Sequence, residues 1–235
     1  MSQRTVKDPV TRKNELLDCA QKLFLEHGYE RVTMRDLMAE AGISKGGLYH
    51  HFESKEELLE AMASRFAERT ILRAEGVLNT PELNAIERLN GFLSVSRRMR
   101  VKDAPTLLTT FHAALQPENA LLYQRIITAT TAVTVPVVEN IVKEGQQAGL
   151  FDFPDARTAA ELILQLSANT HKTATEAVAA LNTQGEEKAV MQLEEKIRLN
   201  GIAIDRILGL PDGTIQCVEP GFAAAVFRSG ISRRQ

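Results

Sequence analysis

The stretch TMRDLMAEAGISKGGLYHHF, from Thr33 to Phe52, decides the fold, because it predicts two short helices joined by one tight turn. Thr33 is a favoured N-cap residue for the first helix. Gly42 ends that helix, since glycine tolerates the left-handed backbone that often follows a helix. Ser44 begins the second helix, whose apolar anchors are Leu48 and, one turn later, Phe52. This pattern is typical of a helix-turn-helix, in which the second helix can enter a DNA major groove.

The outer faces of the second helix carry residues suited to DNA: Lys45, Gly46, Gly47, Tyr49 and His50. A lysine can pair with a phosphate or a guanine edge, and tyrosine and histidine can donate to phosphate oxygens. The two glycines let a DNA backbone come close. Solvent-exposed side chains with no function would be the alternative interpretation of each residue taken singly.

The segment LLDCAQKLFLEHGYERVTMRDLMAEAGISKGGLYHHFESKEELL, residues 16–59, resembles the tetracycline-repressor (TetR) family of one-component transcriptional regulators. The ordered string GISKGGLYHHF followed by SKEEL carries the resemblance. Position by position, it implies phosphate or base contacts by Thr33, Arg35, Ser44, Lys45, Gly46, Tyr49, His50 and Lys55. The chain departs from the family at Met38, where alanine is usual, and this could change the packing of the two helices.

The resemblance implies an all-α homodimer that reads a near-palindromic operator and is released from it by a small molecule. A repressor is therefore the leading hypothesis. The alternative is a helical module that binds a small molecule or a partner and whose helix-turn-helix is vestigial. The formal net charge of −2 favours that alternative, because it argues against indiscriminate coating of nucleic acid.

The composition is that of a globular protein without unusual chemistry. The 235 residues are 44% hydrophobic and 25% charged, which suits a DNA-binding module plus a larger helical domain. No apolar run approaches the roughly 20 residues that span a bilayer, and no export signal is evident, so we expect a cytoplasmic protein without a membrane partner. The two cysteines, Cys19 and Cys217, form no metal-binding or disulfide pattern, and we expect no metal and no cofactor.

The helical pattern divides the chain into three parts. We expect an N-terminal three-helix DNA-binding domain over 1–60, a helical effector-binding and dimerisation domain over 61–210, and an irregular tail over 211–235. A capping box at Ser54 and Glu57 begins a helix that joins the first two parts without a linker. Further helices are expected from Thr80-Pro81, over about 117–149 with a kink at Pro136, over 154–181 and over 185–210.

Two sets of residues are predicted in the second domain. The candidate ligand-binding residues are polar or aromatic groups on otherwise apolar helices: Phe111, His112, Tyr123, Ile127, Thr131 and Asn169. The candidate dimer residues are apolar positions on the last two long helices, which would form a four-helix bundle with a second copy: Leu162, Leu166, Leu193, Ile197, Ile204 and Ile207. Both sets could instead serve only the core of one chain.

Enzymatic motifs are missing from the sequence. It contains no GxSxG elbow, P-loop, GxGxxG or HExxH, and the adjacent residues His50 and His51 would point to different faces of a helix. We therefore do not expect an enzyme.

Overall fold

In the computed structural model, which describes residues 8–231, every regular element is helical, and the expected all-α class is confirmed. The α-helices are α1 Pro9–His27, α2 Met34–Ala41, α3 Lys45–Tyr49, α4 Lys55–Leu78, α5 Ala85–Lys102, α6 Ala104–Thr110, α7 Ala120–Gln147, α8 Ala156–Ala168, α9 His171–Ala180, α10 Glu186–Leu208 and α11 Phe222–Ile231. Short 3-10 turns at Tyr29–Arg31, Ala113–Leu115 and Pro117–Asn119 connect them.

The caps of the helix-turn-helix match the sequence prediction. The Thr33 hydroxyl accepts the Asp36 N–H at 3.2 Å, and the Asp36 carboxylate accepts the Thr33 N–H at 2.8 Å, which makes a full capping box. Gly42 has φ of 57° and ψ of 40°, the left-handed conformation that the turn requires. The Ser44 hydroxyl accepts the Gly47 N–H at 3.2 Å. These cap hydrogen bonds and the left-handed conformation of Gly42 therefore determine how the chain passes from α2 into α3.

Two predicted helix starts need correction. At α4, the Ser54 hydroxyl accepts the Glu57 N–H as expected, but the Glu57 carboxylate accepts the N–H of Glu53, at 2.6 Å, instead of that of Ser54. Helix α5 begins at Ala85 and not at Thr80-Pro81. Its start is fixed by a reciprocal capping box between Asn84 and Glu87, which satisfies two backbone donors at once.

The long helices of the second half are broken differently from the prediction. Helix α7 contains Pro136 as expected, whereas the predicted helix over 154–181 divides into α8 and α9. The Asn200 amide of α10 donates to the Leu166 carbonyl at 3.0 Å and so satisfies a backbone group at the end of α8. A side chain distant in sequence therefore supports this break.

Helix α7 is, among the described residues, the one helix long and apolar enough to cross a membrane by length and composition alone. The expectation that no apolar stretch reaches that length is therefore qualified by α7. In the structure it packs against α4 and α8, and also against α5.

The expected irregular tail is wrong for Phe222–Ile231, which forms α11 and packs against α5, α6 and α10. Gly221, which directly precedes this helix, has no side chain that could cap it. Its first turn is capped by Glu194 of α10, whose carboxylate accepts the N–H groups of Gly221 at 2.7 Å and Ala223 at 3.3 Å. The long-range cap explains why the sequence alone did not predict α11.

The hydrophobic cores cross the predicted domain boundaries. The N-terminal core is built around Leu16, Phe24, Leu48 and Phe52, and it also includes Ala113, Ala114 and Ile126 from further along the chain. Helix α4 runs through residue 60 without interruption. The division at residue 60 stays a proposal about folding units, since packing is continuous across it.

Candidate DNA interface and ligand cavity

Helix α3 presents a polar face outward and an apolar face inward. Leu48 and Phe52 are 0% and 1% exposed, so they fix the helix against the N-terminal core. Lys45 and His50 are exposed, and Tyr49 is 42% exposed although tyrosine is a large, partly apolar residue. The Lys45 ammonium lies 5.8 Å from the centre of the Tyr49 ring. The predicted DNA-binding side chains of α3 therefore lie together on an accessible surface.

The two glycines of α3 occupy different environments. A Cβ built at Gly46 would meet no atom within 4 Å, so this position is open to an approaching molecule. A Cβ at Gly47 would lie 2.7 Å from Cγ1 of Ile43, a contact that real side chains do not make. Gly47 is therefore required for packing of the turn against α3, and its role as a point of DNA approach stays a prediction.

The predicted contacts outside α3 are accessible to different degrees. Thr33 and Arg35 are exposed at the start of α2, and Ser44 is exposed at the start of α3. Lys55 is only half-buried, and its ammonium donates to the Tyr29 carbonyl at 2.9 Å and lies 4.4 Å from the Tyr29 ring centre. Lys55 thus has a structural role, with ammonium donors left over for a phosphate.

Basic groups of α1 contact the end of α2 and the residues that follow α3. Arg12 donates to the Glu15 carboxylate at 2.8 Å and to the Ala41 carbonyl at 3.2 Å, so it fastens α1 to the end of α2. The Lys13 ammonium lies 5.6 Å from the Phe52 ring centre. Burial, together with the neighbouring His50, Arg12 and Lys13, lowers the pKa of His51 and keeps it neutral at pH 7. Lys13 and Lys45 thus supply positive charge near α3, whereas Arg12 is paired with Glu15.

Residues 16–62 match the family described as bacterial regulatory proteins of the tetR family. The chain belongs to the TetR family. The match covers the end of α1 through the beginning of α4, which is the part that holds the exposed face of α3.

Curated TetR-family relatives extend the likeness. The transcriptional repressor KstR2 of Mycolicibacterium smegmatis is 35% identical over 96 residues, which are 41% of this chain and 46% of that protein. The transcriptional repressor AcnR of Corynebacterium efficiens is 44% identical over 127 residues, which are 50% of this chain and 66% of that protein. The chain thus spans less than half of KstR2 and about two thirds of AcnR.

Solved structures support the TetR-type fold over most of the chain. RolR in complex with resorcinol aligns with a TM-score of 0.54 and 19% identity, covering 93% of this chain and 94% of RolR. SmeT, the repressor of a Stenotrophomonas maltophilia multidrug efflux pump, aligns with a TM-score of 0.52 and 21% identity, covering 88% of this chain and 96% of SmeT. At these identities the likeness concerns the fold alone.

A cavity of about 190 Å³ lies between α4, α5, α7, α8 and α10 of this TetR-type fold. The predicted residues Ile127 and Thr131 line it, together with Thr130 and Thr134 of the same threonine-rich stretch of α7. The run of threonines in this stretch is visible in the sequence. Ligand binding by Ile127 and Thr131 stays a prediction, now with a cavity to support it.

The other four predicted ligand residues do not line this cavity. Phe111 packs beside the N-terminal core, and His112 is exposed. Tyr123 packs its ring 4.5 Å from that of His171, and Asn169 is exposed in the turn between α8 and α9. Sequence position could not reveal this, because which face of a helix meets a cavity depends on how its neighbours pack.

The predicted dimer residues also fall into two groups, those that are accessible and those that pack inside the same chain. Leu162 on α8 is 44% exposed and free to meet a second copy, and Ile207 is partly accessible. Leu193 and Ile204 are only 8% and 3% exposed, because they pack inside the same chain. Leu166 and Ile197 line the cavity. The seam predicted on α10 therefore serves mainly the chain's own core.

Within residues 8–231, no group of three or more histidine, cysteine or acidic side chains is arranged to hold a metal ion.

Proposed function

We propose that the protein is a TetR-family transcriptional repressor that binds a near-palindromic DNA operator as a homodimer and is released by a small molecule. The observation that carries the proposal is the accessible face of Lys45, Tyr49 and His50, held outward by buried Leu48 within the segment matched to the family. Within residues 8–231, none of these three side chains forms a hydrogen bond or an ion pair with the rest of the chain.

DNA binding would use a small set of contacts. Lys45 and Arg35 supply positive charge, and Tyr49 and His50 supply hydrogen-bond donors, at neighbouring positions on α2 and α3. Gly46 offers an approach for the DNA backbone, because a Cβ built there would meet no atom of the described residues within 4 Å. Two copies of this face on one dimer would contact two half-sites about one helical turn, or a multiple of it, apart. Such focused contacts are compatible with an acidic chain.

The proposed dimer would pack α8 and α10 against a second copy. Leu162 is 44% exposed, and on α10 Met191 and Leu199 are 64% and 47% exposed. Large apolar side chains exposed on neighbouring helices favour burial in a symmetric interface. Repression is favoured over activation because KstR2 and AcnR are both named transcriptional repressors.

The small-molecule response would use the cavity between α4, α5, α7, α8 and α10. A ligand there can change DNA affinity only by binding better to a conformation in which the two α3 helices are wrongly spaced. Helix α4 connects the two regions directly, since Phe66, Ala67 and Thr70 line the cavity while Leu58 and Leu59 lie in the N-terminal core. We propose no catalytic activity and a cytoplasmic location, as for a regulator of transcription.

The test is a selection of bound duplexes from random DNA, followed by mobility-shift titration of the enriched site. The proposal expects a near-palindromic site whose binding weakens steeply with added salt, because phosphate contacts release counterions. Selection that enriches no two-fold site would contradict it. Association that is insensitive to salt would favour the alternative of a partner-binding module with a vestigial helix-turn-helix.

A further inference from the structure

The wall of the cavity includes one charged group that has no partner. The guanidinium of Arg100 makes no hydrogen bond and no ion pair within the described part of the chain. Arg100 is an exposed residue, and it is one of the residues that line the cavity. The groups that act electrostatically on Arg100 are Tyr123, Cys217 and Arg97, and none of them is a carboxylate.

The neighbouring Arg97 is paired within the protein through its two terminal nitrogens, although its Nε has no hydrogen-bond partner in the described structure. Arg97 is 7% exposed, donates to the Gln216 carbonyl and pairs with the Glu219 carboxylate at 2.7 Å. The buried Asp205 carboxylate is occupied by the backbone N–H groups of Gly213 and Ile215 and does not line the cavity. The charge facing the cavity is therefore the unpaired charge of Arg100.

The rest of the wall is chemically apolar. The hydroxyls of Thr70, Thr130 and Thr134 donate to carbonyls four residues earlier on their own helices, at 2.8 to 2.9 Å. Their donors are thus used, and the remaining wall comes largely from phenylalanine, leucine and isoleucine side chains. Two further hydroxyls of the wall, those of Thr131 on α7 and Ser96 on α5, form no hydrogen bond in the described structure, and Ser96 lies one turn before Arg100. Ser96 and Arg100 therefore form one polar corner in an apolar space.

The volume limits the ligand. An apolar cavity of about 150 Å³ accommodates one benzene molecule, so a volume of about 190 Å³ accommodates one ring with a short substituent. A nucleotide or coenzyme headgroup would not fit. A cavity-lining guanidinium without a protein partner can bind an anion, and a carboxylate matches it through two parallel hydrogen bonds.

We infer that the cavity binds a small monocarboxylate with a one-ring apolar body, its carboxylate paired with Arg100 and within reach of the Ser96 hydroxyl. The inference rests on the proposed response to a small molecule and names the ligand's chemical class. A single carboxylate would neutralise the single unpaired charge, whereas a dianion such as a phosphate ester would leave an excess negative charge in a low-dielectric site.

The experiment is calorimetric titration of the full chain with 4-ethylbenzoate, cyclohexanecarboxylate and 3-phenylpropanoate, each paired with its primary amide. We expect at least one carboxylate to bind at least about tenfold more tightly than its amide, since hydrogen bonds to charged groups are worth more than neutral ones. Arg100→Met should remove that preference. Arg98→Met, at an exposed position of the same helix, is the matched control and should preserve it.

Three results would overturn the inference: no binding of any carboxylate, equal binding of the amides, or an unchanged preference in Arg100→Met. Thermal unfolding of Arg100→Met shows whether the variant is folded, and because Arg100 has no protein partner in the described structure its replacement should not lower the melting temperature. Operator binding measured by fluorescence anisotropy without any carboxylate separates the two proposals. If DNA binds but carboxylates do not, this inference fails while the proposed DNA binding stands.

Discussion

At the scale of single residues, exposed and buried tyrosines of the N-terminal region offer a direct comparison. Tyr49 is 42% exposed on α3, whereas Tyr29 is 6% exposed and donates its hydroxyl to the Glu56 carboxylate at 3.1 Å. Tyr49→Phe should weaken operator binding by about tenfold or more, because a dimer loses two hydrogen bonds of about 1 kcal/mol each. Its melting temperature should be unchanged.

The matched control for Tyr49→Phe is Tyr29→Phe. The same atom is removed, but this time from a hydrogen bond inside the fold, so the melting temperature should fall while the intrinsic DNA affinity of the folded protein is kept. Mobility-shift and thermal-unfolding measurements on both variants check this. A loss of stability in Tyr49→Phe without a loss of DNA affinity would assign Tyr49 to the fold.

The two adjacent glycines give a second prediction. Gly47→Ala should lower the free energy of unfolding by about 1 to 3 kcal/mol, since its Cβ would overpack against Ile43. Gly46→Ala should be neutral or stabilising by up to about 1 kcal/mol, because alanine is the better helix former and the space is empty. Chemical denaturation measures both. Ile43→Ala combined with Gly47→Ala should recover part of the loss, and its failure to do so would locate the strain elsewhere.

At the scale of helices, the sequence predicted the boundaries that depend on interactions between residues close together in the chain. Thr33, Gly42 and Ser44 act on their own turns, so α2 and α3 could be predicted from the sequence. The break between α8 and α9 and the start of α11 depend on Asn200 and Glu194, which lie far away in the chain. Only some of the residues that line the cavity were predicted from the sequence. Thr131 belongs to a threonine-rich stretch that is visible in the sequence, whereas no local pattern marked Arg100.

Helix α11 should be an integral part of the fold. Phe227 is 5% exposed and belongs to a core cluster with Leu193 and Ala177. Phe227→Ala should therefore cost about 3 to 5 kcal/mol of unfolding free energy, from lost burial and the cavity left behind. Val10→Ala, which also removes apolar atoms but at a position 67% exposed, should cost little. Equal denaturation midpoints for the two variants would show that α11 is dispensable.

At the scale of the whole molecule, the proposed dimer predicts that Leu162→Glu separates the subunits. Placing two carboxylates in an apolar two-fold interface is unfavourable, since each charge is desolvated without a partner. Sedimentation should show a monomer, and operator affinity should fall steeply because one subunit reads only one half-site. Leu72→Glu, at a position 62% exposed on α4, is the control and should leave the dimer intact. A dimer that persists in Leu162→Glu would move the interface away from α8.

The position of Lys45 on a DNA-facing surface is tested most directly by the salt dependence of operator affinity in the native protein and in Lys45→Ala. Each phosphate contact contributes about 0.9 to the slope of log affinity against log salt concentration. If Lys45 meets a phosphate in both half-sites, the slope should fall in magnitude by about 2 in the variant, with an unchanged melting temperature. Identical slopes for the two proteins, or no salt dependence in either, would contradict the account.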